Sequence, residues 1–306
     1  MALGTEAEHI ISAPARRMPH LAALRPHQWL KNILVFVPLL TAQAFEMITM
    51  LQALLAFVAF SLVSSSGYVL NDLMDLRADR AHPRKQKRPL ASGDLPIAHG
   101  TLMVPLLMGA GLLLALGDGL PLFGILAVYF VLTTVYSTAL KRQAVVDICT
   151  LAGLYTLRII AGGLATGIEL SVWLLAFSMF FFFSMAAVKR QGELVDLQNR
   201  GATSARRRGY HVDDLPLVTQ MATASGYVSL LVLALYLNSE AVRVNYSSPW
   251  LLWGICLVLL YWMSRIFLKT HRGLMHDDPI VYAVRDRSSR ICIVLVAAFT
   301  IGAAVL

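Results

Sequence analysis

The sequence predicts an all-α fold, a polytopic membrane helical bundle of about nine transmembrane helices whose charged loops lie on the cytoplasmic side. Hydrophobic residues make up 57% of the 306 residues and charged residues only 14%. The mean hydropathy is +0.65, a balance foreign to soluble globular domains. Apolar runs of about 20 residues recur along the chain, the length a helix needs to cross roughly 30 Å of hydrocarbon. The lysines and arginines are confined to alternate loops, as in proteins that keep their short basic loops in the cytoplasm.

Residues 1–20 read as a polar N-terminal arm. It has no early apolar core ending in a small-residue cleavage site, so it does not resemble a signal peptide, and an interfacial helix is expected near Met18 to Leu30. Residues 21–306 read as a single transmembrane domain. Its apolar segments fall at about 31–46, 49–70, 100–117, 121–139, 144–163, 170–188, 216–237, 249–267 and 290–306. The first is short and carries Pro38, so eight spans is the alternative to nine. Of the 26 lysines and arginines, all but Arg158, inside a span, and Arg243 fall on one side. That side also holds all 8 histidines and is assigned to the cytoplasm, with the N-terminus inside and, for nine spans, the C-terminus outside. Cys149, Cys256 and Cys292 lie in apolar runs without metal-ligand spacing and read as small buried apolar residues.

The densest chemistry follows the second apolar run, in NDLMDLRADRAHPRKQKRP at 71–89. On a continuing helix Asp72, Asp75 and Asp79, or Asn71, Asp75 and Asp79, occupy one face within about 80°. Carboxylates so spaced repel unless a cation lies among them, and hard oxygen ligands beside a phosphate site suit Mg²⁺. The simpler reading pairs these acids with Arg77, Arg80 and Arg84 on a solvated helix end. Against it, Arg84, Lys85, Lys87 and Arg88 follow at once, so a metal-binding face adjoins an anion-binding one. A magnesium-bound diphosphate needs both.

The pattern N-D-x-x-D-x-x-x-D followed by RPLASG at 88–93 resembles the first aspartate-rich motif of the UbiA superfamily of intramembrane prenyltransferases. RPHQWLKN (25–32), YSTALKRQAVVD (136–147), LRIIAGG (157–163), KRQGEL (189–194), RRRGY (206–210) and DPIVYAVRDRSS (278–289) are similar to the branch typified by decaprenyl-phosphate phosphoribosyltransferase. Superfamily members that use a prenyl diphosphate usually carry a second aspartate-rich motif. This chain has Lys189, Arg190, Gln191, Gly192 and Glu193 there. Lys and Arg bind phosphate oxygens directly, where aspartates need a metal.

The resemblance implies Mg²⁺-dependent transfer of a 5-phosphoribosyl group from 5-phosphoribosyl-1-diphosphate to a polyprenyl phosphate, in the cytoplasmic active-site loops of a plasma-membrane protein. The product would supply arabinose to a cell-wall glycan. It implies Asn71, Asp72, Asp75 and Asp79 as metal ligands, with Asp72, Asp75, Asp79 and Lys189 catalytic. Lys31, Asn71, Lys85, Arg88, Tyr136, Lys141, Arg158, Arg190, Glu193 and Arg207 are the substrate-binding candidates. Arg158 has a second reading, a buried pair with Asp147 on roughly the same helix face. FSMFFFFSMAAV at 177–188 offers a wall for a lipid tail, although such runs more often pack in a core. No nucleic acid is expected as a partner, and a homo-oligomer is left open. The competing readings are transfer of a prenyl group to an aromatic acceptor and a non-catalytic transporter, for which no inverted repeat is evident.

Overall fold

The computed structural model describes residues 18–82, 85–201, 209–275 and 279–306. Arg84, Arg207 and Asp278 therefore lie outside the described residues, as does most of the N-terminal arm. Eight of the described helices are long and apolar enough to cross a membrane. They are α1 (Met47–Met74), α2 (Ile97–Asp118), α3 (Leu120–Thr138) and α4 (Val146–Thr166), then α5 (Val172–Asn199), α6 (Leu215–Leu237), α7 (Trp253–His271) and α8 (Arg287–Val305). No strand occurs among the described residues. Local signals set several ends. The Ser171 side chain accepts from the backbone N–H groups of Trp173 and Leu174 to start α5, Asp286 does the same for Ser289 at α8, and left-handed Gly167 follows α4.

The apolar stretch expected at 31–46 is not a regular transmembrane helix. It is a 3₁₀ helix, Pro26–Phe36, that passes into a short α-helix, Val37–Thr41. It nevertheless runs the depth of the bundle beside α1, in the opposite direction. Arg25 bonds Asp72, Trp29 donates to Ser65 at 2.9 Å, Asn32 donates to Ser61 at 3.0 Å, and Phe36 meets Phe57. The eleven residue steps from Arg25 to Phe36 thus match fifteen steps along α1. At about 2.0 Å per residue for 3₁₀ and 1.5 Å for α, both lengths come to about 22 Å. The extended helix type lets a stretch too short for an α-helical span reach across, so the expected nine are made up of eight regular spans and one irregular crossing.

The first four spans pack around Phe60, Val63, Leu122 and Leu126. The later spans pack around Met185, Met263, Ile266 and Phe267. α4 lies between the two sets: 61% of its most apolar window is buried, against 17% for α2, α3 and α8. Close approach to α4 depends on Gly162, where an added Cβ would lie 2.0 Å from the Val35 carbonyl oxygen. Its bare Cα lets the 3₁₀ segment lie directly on α4. Of the three cysteines only Cys292 is buried; Cys149 is exposed on α4 and Cys256 is intermediate.

Candidate functional site

A cavity of about 440 Å³ opens where the charged ends of α1, α3, α4 and α5 converge under the 3₁₀ segment. Among its lining residues are six cations, Arg25, Lys31, Lys85, Lys141, Arg158 and Lys189, and one carboxylate, Asp75. Eight of the sequence-derived candidates line it: Lys31, Asn71, Asp75, Lys85, Tyr136, Lys141, Arg158 and Lys189.

The acidic stretch is divided. α1 ends at Met74, Asp75 stands in a break, and a short helix resumes at Leu76–Arg80. The single-helix projection holds for Asp72 and Asp79, which meet the same Arg88 nitrogen, but not for Asp75, which turns to the cavity. Asn71 and Asp75 line the cavity, and Asp75 lies 3.6 Å from the Lys141 ammonium. Asp72 and Asp79 are instead buried and paired. One terminal nitrogen of Arg25 donates to both Asp72 oxygens at 2.7 Å, and Arg88 bridges Asp72 at 3.0 Å and Asp79 at 2.5 Å. Arg88 is thus a strut between carboxylates and not a lining residue. Arg25 adopts φ 53°, a left-handed conformation that costs a non-glycine residue about 1 kcal/mol or more, and the carboxylate pairing holds it there.

No three His, Cys, Asp or Glu side chains among the described residues gather closely enough to hold a metal ion alone. The oxygens of Asn71 and Asp75 on one cavity wall do fit a hard divalent cation that uses one or two protein ligands and is completed by phosphate oxygens.

At the α5 end, Lys189 and Arg190 part in the same way. Lys189 lines the cavity, whereas Arg190 is 1% exposed and all of its donors face protein. Its guanidinium pairs with Asp147, which is 0% exposed, donates to Glu193 at 2.5 Å and reaches the Tyr136 hydroxyl at 3.2 Å. The Tyr136 hydroxyl in turn donates to Asp147 at 2.8 Å. Asp147 therefore pairs with Arg190 and not with Arg158, and Glu193 is a partner of Arg190 outside the cavity lining. Tyr136 joins this cluster to the cavity. Nearby, the Tyr210 hydroxyl accepts from the Val145 backbone N–H at 2.8 Å and so pins the turn that carries Lys141. Of the RRRGY stretch, only Gly209 and Tyr210 are described.

A third cluster closes the charged ends of α7 and α8. Asp286 accepts from Arg265 at 2.6 and 3.1 Å, from Lys269 at 3.2 Å, from the Tyr282 hydroxyl at 2.9 Å, and from the Ser289 backbone and hydroxyl. The Arg265 hydrogen bonds first, with those of Ser289 and Tyr282, hold the Asp286 carboxyl far below the usual carboxylate range. This hub anchors the helix Pro279–Arg285, whose first residue lines the cavity.

Sequence reasoning passed over Arg25, Gln28, Tyr129 and Tyr155 as individual cavity residues. The first two lie in the RPHQWLKN stretch, and the Arg-Pro step at its head was the available signal. The Phe-rich run does line a space: an apolar groove of about 340 Å³ bounded by Leu34, Ile159, Phe177, Phe181, Phe182 and Trp262.

Fold and cavity together define an integral membrane protein with a cation-lined chamber at one end of a helical bundle. Residues 33–278 match the model of the UbiA prenyltransferase family. The chain belongs to that family. It is similar to the nodulation protein NoeC of Azorhizobium caulinodans, 39% identical over 276 residues that cover 90% of each chain. It is also similar to a decaprenyl-phosphate phosphoribosyltransferase of Mycobacterium tuberculosis, 33% identical over 296 residues, 92% of this chain and 93% of that one. Among solved structures, a UbiA homolog from Archaeoglobus fulgidus bound to GPP and Mg²⁺ superposes with a TM-score of 0.67. That likeness covers 92% of this chain and 99% of the other at 16% identity, and is one of fold.

Proposed function

We propose that the chain transfers a 5-phosphoribosyl group from 5-phosphoribosyl-1-diphosphate to a polyprenyl phosphate and releases diphosphate at the cytoplasmic membrane face. One observation carries this reading: among the described residues of the cavity lining there are six cations, one of them the Asp72-paired Arg25, against one carboxylate. A prenyl diphosphate with a neutral acceptor brings one diphosphate to the site. The proposed pair brings a diphosphate, a sugar phosphate and a lipid phosphate, and so calls for more cationic side chains than metal-binding acids. The phosphoribosyltransferase relative supports the same chemistry, and the apolar groove suits an isoprenoid tail.

In this reaction the bond from ribose C1 to the diphosphate oxygen breaks, the diphosphate leaves with the electron pair, and an oxygen of the lipid phosphate bonds C1. The acceptor is already an anion, so no strong base is required and alignment dominates. Lys85, Lys141 and Lys189 hold diphosphate oxygens and stabilise charge as it grows on the leaving group. Asn71 and Asp75 are the residues that would hold a divalent cation. When bound, that ion supplies further neutralisation of the diphosphate. Arg25, Arg88 and Arg190 are positioning residues: they fix the helix ends from which Asn71, Asp75, Tyr136 and Lys189 reach the cavity.

The test is direct. Purified protein with Mg²⁺, labelled 5-phosphoribosyl-1-diphosphate and a polyprenyl phosphate is expected to give a labelled lipid. Transfer from a prenyl diphosphate to 4-hydroxybenzoate, with no phosphoribosyl lipid formed, would overturn the proposal.

A further inference from the structure

Arg158 is a cation placed where membrane proteins seldom tolerate one. It lies twelve residues past the start of α4, about 18 Å along the helix, and is 4% exposed. Its Nε donates to Asn32 Oδ1 at 2.9 Å, one terminal nitrogen donates to the Tyr129 hydroxyl at 3.0 Å, and the other donates to the Leu154 carbonyl. All three partners are neutral. Asn32 is itself oriented by its bonds to Ser61 and Ser64 at 3.0 and 3.3 Å, so its oxygen is committed to Arg158. The rings of Phe60, Tyr129 and Tyr155 surround the guanidinium at 5.0–5.4 Å. Among the described residues three of the five N–H groups find an acceptor and no carboxylate pairs with the charge, and the side chain borders the cavity. An arginine at such depth, braced but not neutralised, is built to receive an anion.

The surroundings indicate which anion. Arg158 lines the polar cavity, and the next residue, Ile159, lines the apolar groove. Tyr155, also in the cavity lining, stacks on Phe182 of the groove with ring centroids 5.1 Å apart. This aromatic pair beside Arg158 therefore stands between the two spaces. The Lys31 ammonium lies 5.7 Å from the same Tyr155 ring, which brings a second cation to this corner. Lys141 instead meets Asp75, and Lys85 stands on the short segment that packs against Leu76–Arg80, just after Asp75. An anion attached to an apolar chain meets both of its needs at the Arg158 corner.

We propose that Arg158, with Lys31 and Tyr129, forms a phosphate subsite for the lipid acceptor, separate from the Asn71, Asp75, Lys85 and Lys141 side that takes the donor's diphosphate. This rests on the proposed phosphoribosyl transfer and divides its two substrates. The Tyr155–Phe182 pair must part for a lipid to occupy cavity and groove together.

Steady-state kinetics on purified protein distinguish the two sides. Arg158→Gln is expected to raise KM for polyprenyl phosphate about tenfold or more and leave KM for 5-phosphoribosyl-1-diphosphate unchanged. Lys85→Gln and Lys141→Gln are expected to do the reverse. If Arg158→Gln instead raises the donor KM, the subsite assignment is overturned and the transfer reaction stands. Should wild-type protein make no phosphoribosyl lipid, the reaction fails, and equilibrium binding of labelled polyprenyl phosphate in detergent still reads the subsite. Weaker lipid binding by Arg158→Gln, with ribose 5-phosphate a poor competitor against the wild type, sustains it. Equal binding by both proteins, or strong competition by ribose 5-phosphate, overturns it. If the glutamine variant does not fold, Arg158→Lys keeps the charge and loses the fork. It is expected to raise the lipid KM alone, and an unchanged lipid KM would refute the assignment.

Discussion

The charged ends of α1 and α5 solve one problem with opposite chemistry. Each helix brings a run of ionic side chains to the same cavity. At α1 the buried, paired members are carboxylates, Asp72 and Asp79, held by the arginines Arg25 and Arg88. At α5 the buried member is an arginine, Arg190, held by the carboxylates Asp147 and Glu193. In both places a sequence neighbour is left for the cavity: Asn71 beside Asp72, and Lys189 beside Arg190. Adjacent helical residues point about 100° apart, so one can tie helices together while the next meets the ligand. A charged motif read as a unit thus contains two kinds of residue, and only burial separates them.

The largest expected effect comes from breaking the buried member at α5. Arg190→Gln leaves Asp147 charged and enclosed, and is expected to cost about 3–5 kcal/mol, enough to lower the thermal midpoint of the detergent-solubilised protein steeply. Lys189→Gln, one residue away, is expected to leave that midpoint unchanged and lower turnover about 10²-fold, the order seen when a single charge-stabilising donor is removed. Asp75→Asn belongs with Lys189, and its loss of turnover should leave a folded protein. If Arg190→Gln melts like wild type while Lys189→Gln unfolds, the assignment of roles is reversed.

Those roles show how far the sequence could be read. Eight spans were legible because their apolar length and basic flanks leave little choice. The first crossing was expected at 31–46, but its 3₁₀ form was not legible: a 3₁₀ helix gains about 0.5 Å per residue over an α-helix, so a run short for an α-helical span still reaches across. At the cavity, Asn71, Asp75, Lys141, Arg158 and Lys189 were singled out because polar and charged groups so close to lipid need a function or a partner, and they line it. Asp72, Asp79 and Arg190 were grouped with them because sequence shows which charges are dense but not which are paired. The partner of Asp147 illustrates this. Arg158 matches it by helix period, yet Arg190, 43 positions away, makes the pair. Arg25 was passed over because its role depends on a left-handed backbone before Pro26, which periodicity does not reveal.

The Asp286 hub offers an intermediate effect with a pH signature. The folded carboxyl titrates far below its unfolded value of about 3.9, so the folded state binds fewer protons there. Its contribution is fully present above about pH 4 and is lost as pH falls from there toward the folded value. Asp286→Asn is expected to lower the midpoint at neutral pH by the equivalent of about 1.5–3 kcal/mol, the range for hydrogen bonds to a charged group. The gap between wild type and variant should hold from pH 7 to about pH 4 and close below it. A gap that instead widens on acidification would show that the hub is not held by an ionised Asp286.

The smallest effect calibrates the rest. α5 also ends on the ion pair of Arg200 with Asp196, at 3.6 Å and with the arginine side chain 71% exposed. It has the same residue types as the Arg190 cluster and lies within three turns of it, but water screens it and both side chains lose rotamer freedom to form it. Arg200→Ala is expected to change the thermal midpoint by the equivalent of about 0.5 kcal/mol or less and to leave turnover alone. Burial alone then separates two ion pairs on one helix by nearly an order of magnitude in energy. A loss at Arg200 as large as that at Arg190 would mean that the end of α5 is enclosed by something further, and the contrast between buried strut and solvated pair would no longer hold.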